Sequence, residues 1–169
     1  MTRISTLAVT LVVALVGVPA IALAASHSHS HARASKAAAT VSVRKTKLGK
    51  ILVNGRGVTL YLFEKDKKGK SACNGACAVA WPPLLTKGHP KARNGAHASK
   101  LGTTKRKNGT TQVTYARHPV YMFVGDRSKP GSTAGEGSKA FGAEWYVLGT
   151  NGKKIEKAGS SSTTGHSGY

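Results

Sequence analysis

One six-residue phrase occurs twice in this chain of 169 residues, the second copy sixty positions after the first. Residues 61–66 read YLFEKD and residues 121–126 read YMFVGD, so both copies fit the pattern Tyr-x-Phe-x-x-Asp. Each copy is followed by a loop that contains glycine and then by a tryptophan. Such a duplication predicts two copies of one supersecondary unit packed against each other, because one copy alone cannot bury its apolar face. The residues expected to carry the fold and any pocket linked to the repeat are Tyr61, Phe63, Asp66, Trp81, Tyr121, Phe123, Asp126 and Trp145.

The pattern of turns and apolar runs predicts an all-β fold. Five Asn-Gly dipeptides occur, and this dipeptide readily takes the positive φ values that a two-residue type I′ turn requires. No long stretch repeats apolar residues at helical spacing, and one helical turn is expected at residues 78–81, before Pro82. The sequence therefore predicts two tandem repeats packed as one small sandwich or barrel-like domain. About eight short strands are expected, at residues 41–45, 50–53, 58–64, 103–107, 110–115, 120–124, 145–148 and 153–156.

The repeated phrase is predicted to lie on a buried strand in both copies. Alternation along a strand places Tyr61 and Phe63 on one face and Leu60 and Leu62 on the other. The second copy follows the same pattern. Apolar groups on both faces indicate that these two strands are the central ones.

The aspartate of each phrase falls where its strand ends, and two interpretations of it are open. In the structural one, Asp66 and Asp126 accept backbone N–H groups of the turn that follows. In the functional one, the tyrosine and aspartate of each copy line a small polar pocket or a metal site. The pattern Tyr-x-Phe-x-x-Asp supplies one carboxylate per copy and no histidine at ligand spacing, which argues against hydrolytic chemistry.

The first 24 residues are predicted to be a signal peptide. Arg3 gives a positive start, residues 7–18 form an apolar run too short to span a bilayer, and residues 22–24 (ALA) suit a signal peptidase. Cleavage is expected after Ala24, with Ala25 as the alternative. The protein is therefore expected to be exported and released as a monomer.

Composition divides the rest of the chain into three parts. Residues 25–40 are rich in His, Ala, Ser and Lys and are expected to form a disordered leader, and residues 158–169 a flexible tail. Residues 41–157 are predicted to form one two-repeat β domain, with repeat one at about 41–98 and repeat two at about 99–157.

The two cysteines are predicted to form a local disulfide. Cys73 and Cys77 are separated by three residues, and Asn74 and Gly75 supply a turn between them. In an oxidising compartment such a pair most simply closes a small loop. The alternative is a redox-active or metal-binding pair, but two cysteines alone make only half a zinc site.

Charge is the second strong signal. The chain has 26 Lys and Arg against 6 Asp and Glu, a net charge of +20, and such a field favours polyanions. The alternative is that the charge only serves solubility. Residues 87–107 contain no Phe, Tyr or Trp for base stacking, so any binding there is expected to be electrostatic, unspecific and sensitive to salt. The candidate polyanion-binding residues are Lys87, Lys91, Arg93, Lys100, Lys105, Arg106 and Lys107.

The leader carries a candidate metal site. Cleavage after Ala24 would start the mature chain at Ala25, with His27 at position three. A free amine, two backbone amides and an imidazole then form a square-planar nitrogen set suited to Cu(II) or Ni(II), to which His29 and His31 can add ligands. The alternative is a polar spacer that happens to contain three histidines.

The motifs together resemble a known family. The first phrase, followed by residues 73–78 (CNGACA) and 81–84 (WPPL), is similar to bacterial secreted and lipid-anchored proteins with a Tyr-x-Phe/Trp/Tyr-x-x-Asp motif, known as the secreted-repeat or predicted lipoprotein family. The second repeat matches through residues 120–126, 135–137 and 142–147, so the resemblance covers about residues 48–148. It implies a small duplicated β domain in the envelope or outside the cell, and no agreed activity.

Two features depart from that family's pattern. The chain lacks the lipid-attachment cysteine that many members carry, and residues 87–107 form a long basic insertion between the repeats. No nucleophile elbow, zinc-protease motif, phosphate loop or dinucleotide fingerprint occurs. The sequence therefore predicts a non-enzymatic binding protein of the envelope or extracellular space, with anionic envelope polymers as the expected partners.

Overall fold

The computed structural model describes residues 38–156, which form nine short strands. In chain order these are β1 Thr40–Thr46, β2 Gly49–Asn54, β3 Tyr61–Phe63, β4 Lys91–Ala92, β5 Leu101–Lys105, β6 Thr111–Tyr115, β7 His118–Pro119, β8 Ser138–Ala140 and β9 Ala143–Val147. One α-helix, α1, covers Ala76–Ala80, and two 3₁₀ turns cover Ala98–Lys100 and Val124–Asp126.

The strands form three small sheets. The orders are β2-β1-β4, β3-β9-β8 and β5-β6-β7, and all pairs are antiparallel except β1 with β4. Isolated bridges join strands to segments outside the sheets, such as Gln112 of β6 with Leu85 and Ile51 of β2 with Gly149. The predicted all-β fold with two repeats packed in a sandwich-like arrangement is confirmed, and the sheets do not close into a barrel.

At the repeated phrase, segments of one repeat pair with segments of the other. Tyr61 and Tyr121 face each other in an antiparallel bridge, with N···O distances of 2.9 and 3.0 Å. β3 of the first repeat pairs with β9 of the second, so that Tyr61 lies opposite Val147. In the matching contact Tyr121 lies opposite Pro83 of the first repeat. Each phrase is therefore flanked by the segment that follows the tryptophan of the other repeat.

The alternation of side chains along the phrase separates two apolar clusters. One cluster contains Tyr61 and Phe63 with the two tryptophans, and the other contains Leu60 and Leu62. Both tyrosines of the phrase are fully buried. The predicted division into two faces and the predicted burial are thus found in the structure. The predicted central position is wrong, because β3 is an end strand of the β3-β9-β8 sheet and Tyr121 forms only isolated bridges.

Several strand predictions were wrong in extent. The second phrase is no continuous strand over 120–124, because the backbone turns into a 3₁₀ turn at Val124–Asp126. Residues 153–156 form only a bridge at Lys154, and β3 is shorter than the predicted 58–64. The unpredicted strands β4, β7 and β8 are two or three residues long. Such short pairings depend on tertiary neighbours and leave little pattern in the sequence.

The Asn-Gly dipeptides also behave differently from the prediction. At Asn54, Asn108 and Asn151 the side-chain oxygen accepts the backbone N–H two residues on, at 2.9, 3.2 and 2.9 Å. These asparagines therefore form side-chain turns and none of them has a positive φ. The hairpin after β5 closes through Arg106 N–H to Thr110 O, with Gly109 at φ 78°, which is a three-residue loop.

Candidate functional site

The tyrosine and aspartate of the repeated phrase pair across the repeats. The Tyr61 hydroxyl donates to Asp126 Oδ2 at 2.9 Å, and the Tyr121 hydroxyl donates to Asp66 Oδ2 at 2.8 Å. The pattern arises because the two phrases run antiparallel, so that each tyrosine points toward the end of the other copy. The repeated motif therefore joins the two halves of the domain instead of forming a site within each half.

Each aspartate also holds the loop that follows it. Asp126 Oδ1 accepts the Ser132 hydroxyl at 2.7 Å and the Ala134 N–H at 3.0 Å. Asp66 Oδ1 accepts the Ala72 N–H at 2.7 Å. As the structural interpretation predicts, both aspartates accept hydrogen bonds from backbone N–H groups that follow them. These N–H groups lie six and eight residues downstream, well beyond the next turn.

The two pairs differ in their access to solvent. Asp126 is buried, with 2 % of its surface exposed, whereas Asp66 is half-buried at the protein surface. Burial raises the pKa of both tyrosines far above the usual range, and the charge of the paired aspartate adds to the rise. Burial also raises the pKa of Asp66 to about 6, against hydrogen bonds from Ala72 and Tyr121 that lower it.

The raised pKa of Asp66 predicts a pH dependence of stability. A carboxyl whose pKa is higher in the folded than in the unfolded chain stabilises the fold below pH 4, and this stabilisation is lost as the pH rises through 6. Replacing Asp66 with Asn keeps a side-chain oxygen for the Ala72 N–H but removes the titration. We expect the stability of wild type relative to D66N to fall between pH 4 and 6, measured by urea unfolding. A constant difference over that range would contradict this account.

Four aromatic rings form a continuous stack between the two Tyr–Asp pairs. Phe63 stacks on Trp145 with centroids 4.0 Å apart, Trp145 on Trp81 at 3.9 Å, and Trp81 on Phe123 at 4.2 Å. The rings alternate between the repeats. Tyr61 and Tyr121 meet the stack edge-on, 5.3 Å from Trp81 and 5.2 Å from Trp145. All eight residues of the predicted repeat set thus lie together in one cluster.

The cysteines form the predicted disulfide, which lies beside this cluster. The disulfide loop is fixed by Arg106, whose guanidinium donates to Ser71 Oγ at 2.8 Å, to Gln112 Oε1 at 2.6 Å and to the carbonyl of Cys73. Arg106 was predicted to bind polyanions, but its side chain is buried and held by these three hydrogen bonds. No local pattern indicates this burial, because Arg106 lies between two exposed lysines.

The remaining predicted polyanion residues lie at or near the surface. Lys87, Lys91, Arg93, Lys105 and Lys107 are exposed, and Lys100 is partly buried. His27, His29 and His31 of the predicted metal site lie outside the described residues, so the metal site remains a prediction. Among residues 38–156, no three His, Cys, Asp or Glu side chains come together in a way that could hold a metal ion.

Sequence reasoning missed a surface region around Asp66 and His118. These two residues line both of two adjoining depressions of about 580 and 290 Å³. Burial lowers the pKa of His118. Asp66 lines both depressions, and Leu62, Phe63 and Glu64 of the same phrase also line the larger one. The partner of Asp66, Tyr121, is buried. No local pattern marked this region, because it is assembled from three loops that are distant in the sequence.

Comparison with known proteins agrees with this duplicated architecture. The sequence profile of a family described as a secreted repeat of unknown function matches the chain twice, over residues 42–85 and 102–148. The chain belongs to this family. The two matches each contain one copy of the phrase and one tryptophan of the stack, so the secreted-repeat unit coincides with the structural repeat.

One curated protein shows a partial similarity. Photosystem II extrinsic protein V of Emiliania huxleyi is 34 % identical over 71 residues, which cover 41 % of this chain and 43 % of that protein. The chain therefore spans less than half the length of this relative. No solved structure matches the chain. In the part of the secreted-repeat protein between residues 38 and 156, no helix is long and apolar enough to cross a membrane.

Proposed function

We propose that this secreted-repeat protein is a non-catalytic module that binds anionic polymers of the bacterial cell envelope by electrostatic attraction. One observation carries the proposal: the acidic side chains are all engaged within the protein, whereas most basic side chains among residues 38–156 are exposed and take part in no ion pair. The positive field of the chain is therefore directed outward and available to a polyanion.

The six acidic residues all lie within residues 38–156. The two aspartates are held by the tyrosines and by loop amides. Glu64 and Glu156 both bind Lys154 at 2.8 Å, Glu144 binds Lys139 at 3.2 Å, and Glu136 accepts the Val147 N–H at 2.7 Å. Among the described residues, Lys139 and Lys154 are the two basic residues in ion pairs.

The surface of the protein is better suited to bind the charged groups of a polymer than to recognise nucleic-acid bases. Of the large apolar side chains exposed between residues 38 and 156, Phe141 is the single aromatic one, and the tryptophans are buried in the stack. Proteins that bind single-stranded nucleic acid normally stack bases on exposed aromatic rings. A polymer that offers charge alone fits this surface better.

The engagement of the reactive groups supports a role without catalysis. Both cysteines are in the disulfide, and the oxygens of Asp66 and Asp126 accept hydrogen bonds from tyrosines and loop amides. Similarity to a protein that is extrinsic by name agrees with a module that acts by attachment. These observations support a binding role. None of the groups named here pairs a nucleophile with a general base.

Retention of the purified protein on purified cell-wall polymer across a salt series tests the proposal. We expect strong retention at low ionic strength and a linear fall of the logarithm of affinity with the logarithm of salt concentration. Neutral dextran is the matched support and should not retain the protein. Failure to bind the anionic polymer at low salt, or binding that salt does not weaken, would contradict the proposed function.

A further inference from the structure

Two tight turns on one side of the protein have the same unusual backbone. In the first, Lys67 and Lys70 form a bridge around Lys68 and Gly69, whose φ values are 50° and 73°. In the second, Tyr115 pairs with His118 around a two-residue loop formed by Ala116 and Arg117, with φ values of 48° and 70°. Positive φ at both central residues is the signature of a type I′ turn.

The residue types in these turns are wrong for that backbone. Type I′ turns strongly prefer Asn and Gly, because other residues are strained at positive φ. Lys68, Ala116 and Arg117 occupy such positions, although the chain uses Asn-Gly elsewhere. Strain that persists because its surroundings over-determine it is a feature of ligand-binding sites.

The two turns and a third loop are packed tightly against one another. A Cβ added at Gly69 would lie 3.3 Å from the carbonyl oxygen of Arg117, and one added at Gly152 would lie 2.2 Å from the Cβ of Ala116. The contact at Gly152 excludes any side chain, and the one at Gly69 is tight. The loops at 67–70, 115–118 and 152–154 therefore form one packed unit.

This unit surrounds three adjoining depressions. The depressions of about 580 and 290 Å³ share Asp66 and His118, and a third of about 240 Å³ shares Lys68, Gly69 and Arg117 with the second. Together they form a groove that runs from Lys153 past His118 to Lys70. We call it the basic groove and define it by residues 66–70, 115–118 and 152–154.

The charge of the groove is positive on balance, although the carboxylates of Glu64 and Asp66 also line its first depression. Lys67, Lys68, Lys70, Arg117 and Lys153 are exposed, and none of them has a carboxylate within ion-pair distance among the residues that the structure describes. Lys154 at the same edge is paired with Glu64 and Glu156. Asp66 lines the first two depressions, and its oxygens accept hydrogen bonds from the Ala72 N–H and the Tyr121 hydroxyl.

We propose that the basic groove is the site at which this protein binds a linear polyanion, and that phosphate or carboxylate groups along the polymer contact the lysines and Arg117. This inference rests on the proposed function and assigns its location. A groove favours an extended chain over a flat surface such as a membrane. Of the residues that line the three depressions, Phe63 is the one Phe, Tyr or Trp, and only 2 % of its surface is exposed. The contact is therefore ionic and unspecific in sequence.

The test compares two triple variants with the same loss of charge. K68Q/K70Q/R117N removes three charges from the groove, and K87Q/K91Q/R93Q removes three exposed charges from the basic insertion. Affinity for linear polyphosphate and for polyglutamate is measured by fluorescence titration across a salt series. We expect the groove variant to bind about tenfold more weakly at low salt and to lose about 2 from the log–log salt slope, since each ionic contact contributes about 0.7 for a single strand. The insertion variant should remain within about twofold of wild type.

A single substitution separates lost binding from lost folding. Asn tolerates positive φ better than Arg, so R117N should have a melting temperature at or above that of wild type while it binds polyphosphate more weakly. R117K, which keeps both the charge and the strain, should bind like wild type. If R117N has a lower melting temperature than wild type, its weaker binding reflects lost folding and not the lost charge. That result would overturn the proposal.

The outcomes distinguish the groove from the function on which it rests. If wild type binds no polyanion at low salt, the proposed function fails. If wild type binds but the two triple variants lose equal affinity, the net charge of the protein determines binding. The groove proposal then fails, while the proposed function stands. Tighter binding of single-stranded DNA than of polyphosphate, or binding only to anionic vesicles, would also overturn an envelope-polymer site.

Discussion

Replacing Asp126 with Ala is expected to destabilise the protein by about 3–5 kcal/mol, measured by urea unfolding at pH 7. The change leaves the buried Tyr61 hydroxyl without its acceptor, and it also releases Ser132 and the Ala134 N–H. A buried polar group left without a partner costs about 1–3 kcal/mol. The loss should be larger than for D66A, because Asp66 is half-buried and water can replace its contacts.

Two controls identify the Tyr61–Asp126 hydrogen bond as the cause of the lost stability. D126N keeps the shape and one acceptor oxygen and should lose less stability than D126A. Y61F removes only the hydroxyl, and a double-mutant cycle with D126A should show coupling, because the two residues share one hydrogen bond. Additive losses, or a loss of less than about 1 kcal/mol in D126A, would show that the pair does not hold the repeats together.

Replacing Trp145 with Ala is expected to cost about 3–5 kcal/mol, because it opens a cavity in the middle of the aromatic stack. Trp145 is fully buried and contacts a ring on each side, Phe63 at 4.0 Å and Trp81 at 3.9 Å. Since these rings come from the first repeat, the cavity lies at the junction of the two halves. Urea unfolding measures the loss, and the near-UV circular dichroism should weaken as the packing around Trp81 loosens.

Matched variants test whether the stack itself matters. W145F retains a ring between Phe63 and Trp81 and should lose clearly less stability than W145A. V79A changes an apolar residue that is 74 % exposed and should stay within about 0.5 kcal/mol of wild type. A W145A variant as stable as V79A would mean that the stack contributes little to the junction of the repeats.

The pairing of each tyrosine with the aspartate of the other copy explains the structural role of the repeated phrase. Tyr, Phe and Asp of one copy contact Asp, Trp and Tyr of the other, so the motif supplies a two-sided connection between duplicated halves. Its polar atoms are largely occupied by each other. Differences in function between such proteins can then arise in the loops after each aspartate, and in this chain the loop after Asp66 carries three lysines of the basic groove.

Local pattern was a reliable guide where burial and spacing act within a few residues. The alternation in 60–63 correctly divided the side chains between two apolar clusters, since successive residues of a strand point to opposite faces. The spacing of Cys73 and Cys77 correctly predicted the disulfide. Turn types were less predictable, because an asparagine side chain can bond its own loop as well as adopt positive φ.

The sequence by itself determined that the protein is a duplicated β domain with a strongly positive charge, because repetition, alternation and composition are properties of the chain alone. Only the tertiary structure decided that each tyrosine pairs with the aspartate of the other copy, that Arg106 is buried, and that three distant loops form one basic groove. These features depend on contacts between residues tens of positions apart, and such contacts leave no local pattern to read.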